Sequence, residues 1–124
     1  HRIEAGADIF LMPSLYEPCG LNQMYSMRYG TIPVVRRTGG LKDTVNCVEQ
    51  TQGDDIPTGF CFDAPTAAAL TDTVARAIKM YSHEPERWQQ MMKVAMDRDF
   101  GWKRSAATYL CLYEQTILES AAAN

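Results

Sequence analysis

Apolar residues fall into short continuous runs in the first half of the chain and into helical stripes in the second, and this change of period predicts its organisation. Ala7-Asp8-Ile9-Phe10-Leu11-Met12-Pro13 is apolar after one acid and ends on proline, the pattern of a strand buried on both faces of a parallel sheet. A loop containing Pro18 and Gly20 leads into a predicted helix over 21–29, where Leu21, Met24, Tyr25 and Arg28 share a face and Gly30 supplies the stop. Thr31-Ile32-Pro33-Val34-Val35 is a second β-branched run, with Pro33 at an early position that a strand accepts. The pair Gly39-Gly40 follows, then a short helical stretch around 41–45.

From Glu49 to Thr58 the chain turns polar, with Gly53, Asp54, Asp55 and Pro57, and reads as a surface loop before a short strand, Gly59-Phe60-Cys61-Phe62. Leu70, Val74, Ala77, Ile78 and Tyr81 then fall on one helical stripe, with Asp63 or Thr66 as its cap. Pro85 opens a second helix whose Trp88, Met91, Met92, Ala95 and Met96 form a core face rather than a cofactor box. A third starts near Trp102 and repeats the pattern through Ala106, Tyr109, Leu110, Tyr113 and Ile117, and 120–124 should fray. Strand, helix and strand joined by short connections favour right-handed βαβ units, so the expected fold is α/β, a partial Rossmann-like parallel sheet with flanking helices. The strand and helix units occupy about 7–62 and the C-terminal helices about 66–119.

Composition narrows the function. The 124 residues, 46% hydrophobic, suit one core. A formal charge of −3 with interspersed signs argues against nucleic acid or an anionic membrane as partner. No apolar run approaches the roughly 20 residues of a membrane span, and no signal peptide is read, so the cytoplasm is the expected compartment. Cys19, Cys47, Cys61 and Cys111 are far apart and His1 and His83 complete no metal spacing. Neither zinc nor a disulfide framework is expected, and Cys47, Cys61 and Cys111 read as free thiols.

The chemistry concentrates in two loops at the carboxyl ends of successive strands, where open α/β sheets bind ligands. In Glu17-Pro18-Cys19-Gly20-Leu21-Asn22-Gln23 a carboxylate precedes a helix start, which attracts phosphate, while Gly20 permits close backbone approach. A carboxylate does not favour phosphate, but it accepts hydrogen bonds from hydroxyls, and a nucleotide sugar offers both groups. A helix-dipole acid explains Glu17 equally well at this stage, and Gly39-Gly40 alone reads more readily as a tight turn. Arg36, Arg37 and Lys42 are candidate phosphate cations, though surface cations are the commoner outcome. No Gly-x-Ser-x-Gly elbow and no phosphate loop of NTP hydrolases is present, and Cys19 is read as a packing or backbone contact rather than a nucleophile.

These residues carry a long resemblance. Ala5 to Ser14, Glu17 to Gln23, Met27 to Val35, Arg37 to Val45, Thr58-Gly59-Phe60 and Asp99 to Ala106 resemble the signature of glycogen/starch synthases. The resemblance implies the C-terminal portion, residues 1–124, of the nucleotide-sugar-binding domain of a GT-B glycosyltransferase. It also implies a retaining enzyme that moves glucose from ADP-glucose to the non-reducing end of an α-1,4-glucan, with no cofactor and no metal. Glu17 is then the catalytic-site residue that binds the donor glucose hydroxyls. Cys19, Gly20 and Leu21 contact sugar and pyrophosphate through their main chain, Asn22 lies near the phosphates, and Thr38, Gly39 and Gly40 line the donor pocket. Tyr25 stands where broader GT-B relatives carry a second Glu that the synthases also lack, and Gly101 stands where the family has Ser.

On this reading the acceptor-binding N-terminal domain and the early strands that supply an Arg and a Lys for the phosphates lie outside these residues. The isolated chain is therefore expected to be inactive, to bind ADP-glucose or ADP, to meet the glucan only through the missing domain, and to risk self-association at an open sheet edge. The compartment is the bacterial cytoplasm, or the plastid stroma in a plant or alga. The rival readings are a GT-B sugar transferase with a different donor, and a non-catalytic remnant that binds nucleotide or glucan or mediates assembly.

Overall fold

In the computed structural model, which describes residues 1–51, 53 and 55–122, three parallel strands form one sheet in the order β1-β2-β3. The elements run α1 (Arg2–Ala5), β1 (Ile9–Met12), α2 (Asn22–Arg28), β2 (Ile32–Arg36), α3 (Gly40–Thr44), β3 (Phe60–Phe62), α4 (Ala67–His83), α5 (Pro85–Asp97) and α6 (Trp102–Ala122). The alternation expected from periodicity is present, and the short α1 is an addition to it. Register runs from Ile9 opposite Ile32 to Met12 opposite Val35, and from Val34 opposite Phe60 to Arg36 opposite Phe62. Pro33 thus sits before β3 begins to pair, where its missing N–H leaves that ladder intact.

β2 is the buried centre, with Ile32, Val34 and Val35 fully enclosed. Met27, Leu41, Phe60, Ala77, Trp88 and Met91 close around it, and Phe60 stacks on Trp88 with ring centroids 6.2 Å apart. Each large apolar side chain enclosed in this way contributes roughly 1.5–3 kcal/mol. β1 departs from the expectation of a strand covered on both faces: Leu11 is 47% exposed and only Met12 is buried. Among the described strands it pairs with β2 alone, so one edge and part of one face are open.

The helices also present faces that hydrophobicity did not mark. α2 buries Gln23, Ser26 and Met27, whereas Leu21, Tyr25 and Arg28 of the expected stripe are exposed. α4 buries Thr73, Ala77 and Met80, and Ile78 and Tyr81 are largely exposed. Thr73 enters the interior because its hydroxyl donates to the Ala69 carbonyl at 2.8 Å, a satisfied group being far cheaper to bury. Of the two proposed caps, Thr66 holds the position, its Oγ1 accepting from the Ala69 N–H at 3.2 Å, while Asp63 pairs with Arg37. In α5, Trp88, Met91 and Ala95 are buried as expected and Met96 is not. α6 extends to Ala122, beyond its expected end, and Trp102, Tyr109, Leu110, Tyr113 and Ile117 stand exposed along it. Residues 123 and 124 of the expected fray, and Asp54 of the expected loop, lie outside the described residues.

The cysteine reading needs one correction. Cys47 and Cys61 are joined by a disulfide, with Cα atoms 5.5 Å apart, while Cys19 and Cys111 are free and exposed. Sequence spacing carried no sign of the pair. It arises because Cys47 forms a parallel bridge beside Gly59 and the Val48 N–H donates to the Gly59 carbonyl at 3.0 Å, which brings the segment after α3 alongside β3. The same crossing makes the end of the supposed surface loop internal: Pro57 and Thr58 are buried, and Thr58 Oγ1 accepts from the Asn46 N–H at 3.0 Å.

Replacing both bonded cysteines with alanine is expected to lower stability by about 3 kcal/mol, because a loop of this length gains chain entropy when released. Urea unfolding with and without reductant measures it, and an unchanged midpoint would show that the bond does not constrain the chain. Thr66→Ala should cost about 1 kcal/mol by removing the α4 cap.

Candidate functional site

The loop after β1 and the turn after β2 meet at the carboxyl edge of the sheet. The Gly40 N–H donates to the Glu17 carbonyl at 3.1 Å and lies 3.2 Å from the Pro18 carbonyl. A Cβ on Gly39 would stand 1.9 Å from the Glu17 carbonyl oxygen, and one on Gly40 would stand 2.2 Å from that of Cys19. No side chain fits between two backbones this close, and Gly39 also has φ +46°, a conformation that side-chain-bearing residues rarely adopt. The glycine pair is therefore the surface on which the Glu17 loop rests.

Of the residues singled out from the sequence, Glu17, Cys19, Gly39 and Gly40 are brought into one contact, Gly20 packs against Glu17 and Gln23 within the loop, and Leu21 and Asn22 are exposed on it. The Glu17 side chain is partly buried, and Ser14 Oγ donates to its Oε2 at 3.4 Å. Gly20 is buried with φ +71°. The space above its Cα is occupied by the side chains of Gln23 and Glu17, at 2.6 and 3.0 Å from an ideal Cβ, rather than held open for a ligand. No side chain caps α2 at Leu21.

The candidate cations divide. Arg36 holds the chain just before Glu17, its Nη1 donating to the Leu15 carbonyl at 2.7 Å, and Arg37 pairs through two nitrogens with Asp63 at 2.8 and 3.1 Å. Arg37 thus serves a protein acceptor, Arg36 does so through Nη1 while its Nε is buried without a hydrogen-bond partner, and Lys42 is exposed on α3. Cavities of about 480 and 490 Å³ lie beside α2, walled by Met24, Arg98, Asp99 and Phe100, and none of the predicted site residues lines them. In this chain the Glu17 loop and the glycine turn form one wall.

The donor atoms of Cys47, Glu49 and Cys61 lie within 4.8 Å of one another. The sulfurs, however, are bonded to each other, and Glu49 accepts from Arg76 and from the Cys61 N–H. Neither thiolates nor a free carboxylate remain there for an ion.

Residues 1–94 match the family Glycosyl transferases group 1, and the chain belongs to it. It is 53% identical over 118 residues to a glycogen synthase of Thioalkalivibrio sulfidiphilus and 50% identical over 117 to one of Aeromonas salmonicida, covering 94% of this chain and 24% of each relative. Its structure resembles the catalytic domain of starch synthase IV from Arabidopsis thaliana bound to ADP and acarbose, with TM-score 0.81, 38% identity, 93% of this chain and 24% of that one. A sucrose-phosphate synthase from Thermosynechococcus elongatus matches with TM-score 0.64, 26% identity, 94% of this chain and 27% of that one. The three-stranded parallel sheet with its helices is thus a fragment of a GT-B glycosyltransferase, and the resemblance to glycogen and starch synthases holds. The chain spans about a quarter of the length of these relatives.

What the sequence did not reveal is the polar group beneath the loops. Gln23, fully buried on α2, reaches both Gly20 and Thr44. The available sign was its place at the end of the Glu17 to Gln23 motif.

Gly39→Ala or Gly40→Ala should destabilise by about 3 kcal/mol, since backbone has to move to admit the methyl group. Gly53→Ala, where φ is +65° but no atom lies within 4 Å, should cost only about 1 kcal/mol of backbone strain. Urea midpoints of the three variants test the difference, and equal losses would contradict a loop contact at Gly39 and Gly40.

Proposed function

We propose that this chain supplies the donor-binding wall of a retaining glucosyltransferase that extends an α-1,4-glucan from ADP-glucose, in glycogen or starch synthesis. The observation that carries the reading is the direct seating of the Glu17–Cys19 backbone on Gly39 and Gly40 at the carboxyl edge of β1 and β2. That contact gathers a carboxylate and two loop backbones in the place where parallel α/β sheets receive nucleotides. Similarity to glycogen synthases and to a starch synthase bound to ADP and acarbose supports this donor and acceptor over others.

In the proposed complex Glu17 accepts hydrogen bonds from hydroxyls of the donor glucose, a role suited to an ionised carboxylate and unsuited to phosphate. Main-chain groups of Cys19, Gly20 and Leu21 face sugar and pyrophosphate, Asn22 lies near the phosphates, and Thr38, Gly39 and Gly40 complete the wall. Catalysis rests on holding the glucosyl group in place and on stabilising charge as its bond to phosphate breaks, and the reading assigns no step to a metal. The acceptor is met by parts of the parent protein beyond these residues. We assign the parent protein to the cytoplasm, or to the plastid stroma in a plant or alga; no helix among the described residues is long and apolar enough to cross a membrane.

In the full-length protein, Glu17→Ala should lower kcat/KM for ADP-glucose by about 10- to 100-fold, because hydroxyls lose a charged acceptor. Kinetics like those of the wild type would remove Glu17 from the site. Parallel assays with ADP-glucose, UDP-glucose and GDP-mannose fix the donor. The isolated 124 residues should incorporate no radiolabelled glucose, and turnover by them would overturn the single-wall reading.

A further inference from the structure

Gln23 is 0% exposed, an unusual place for a primary amide in a helix face that packs on a sheet. Its Nε2 donates to the Gly20 carbonyl at 2.8 Å and to Thr44 Oγ1 at 3.0 Å, and lies 3.3 Å from the Cys19 carbonyl. Thr44 Oγ1 in turn donates to the Gly40 carbonyl at 2.7 Å. One continuous chain of hydrogen bonds therefore runs from the first loop, through Gln23 and Thr44, to the glycine turn.

The direction of the amide is fixed by its surroundings. Exchanging oxygen and nitrogen would press Oε1 against the carbonyls of Cys19 and Gly20, so only the orientation that donates to them is acceptable. That orientation leaves Oε1 buried without a hydrogen-bond partner. A leucine or methionine of similar volume would remove the orphaned Oε1 but would leave the buried Gly20 carbonyl without this donor, so the position is not explained by apolar packing of the helix face. It is well explained by the two donors that the amide places between the loops.

We propose that Gln23 is the positioning residue of the donor site, fixing the Cys19–Gly20 backbone relative to the Gly39–Gly40 turn through Thr44. The inference rests on the functional reading of those loops given above. Gln23 touches no solvent and so reaches no substrate directly; it acts through the main chain that faces the donor. A loop displaced by a fraction of an ångström would weaken its contacts with sugar and pyrophosphate while leaving the acceptor side as it was.

The test uses the full-length enzyme. Gln23→Met keeps the volume and removes the donors, Thr44→Val keeps the shape and removes the relay, and Thr44→Ser retains the hydroxyl. Gln23→Met is expected to raise the donor KM and the Kd for ADP by up to about 100-fold, and Thr44→Val by about 10-fold, with the acceptor KM unchanged. Thr44→Ser should stay close to the wild type, and the double variant Gln23→Met/Thr44→Val should be no worse than Gln23→Met alone, since both break one link. Thr44 is only partly buried, so Thr44→Val carries the test if Gln23→Met does not fold.

A purely structural role would lower kcat with the active fraction and leave both donor KM and ADP affinity intact. That result, multiplying effects in the double variant, or a folded Thr44→Val with wild-type ADP affinity would overturn the proposal. Glu17→Ala measured alongside separates the two claims. If it alone impairs the enzyme, the site stands and the Gln23 link falls; if neither variant does, the functional reading falls with it.

Discussion

The structure depends on an approach between two stretches of backbone that leaves no room for a Cβ. The chain from Glu17 to Cys19 lies on Gly39 and Gly40 so closely that any side chain there would overlap a carbonyl oxygen. This contact sets the height of the first loop above the sheet and joins the ends of β1 and β2 into one surface. The glycine pair is thus a turn that lacks side chains so that the Glu17 loop can sit on it.

Around that contact the polar groups act mainly on the protein itself. Arg36 holds the Ser14–Leu15 carbonyls, Arg37 is paired with Asp63, and Gln23 and Thr44 connect the loops from beneath. The charge available to a ligand from this wall is accordingly small, and Glu17 is its prominent ionisable group. Such a wall suits hydroxyls and close backbone contact. On the proposed function, cations for a pyrophosphate would have to come from outside this wall.

The Cys47–Cys61 bond lies on the other side of α3 from the loops and ties the segment that follows the glycine turn to β3. α3 is only five residues long, so its N-terminal end rests against the Glu17 loop and the chain just past its C-terminal end is stapled to the sheet. A helix too short to be stable alone is held at both ends by tertiary contacts. This is how a brief element can present the Thr38–Gly40 turn reproducibly.

Local sequence determined the order of elements, because runs of β-branched residues, helical stripes, the Gly30 stop and the Thr66 cap act within a few residues and need no partner. It also determined the family resemblance, through the loop from Glu17 to Gln23 and the Thr38–Gly40 turn. Tertiary packing decided which helix faces turn inward: Gln23, Ser26 and Thr73 are buried with their donors bonded, Gln23 across to Thr44 and the two hydroxyls within their own helices, a compensation that hydrophobic periodicity does not count. It decided likewise the pairing of Cys47 with Cys61, the exposure of the apolar stripe on α6 and the meeting of the two loops. The disulfide and the meeting of the loops depend on distances between residues far apart in the chain, set only when the strands pair and the helices pack.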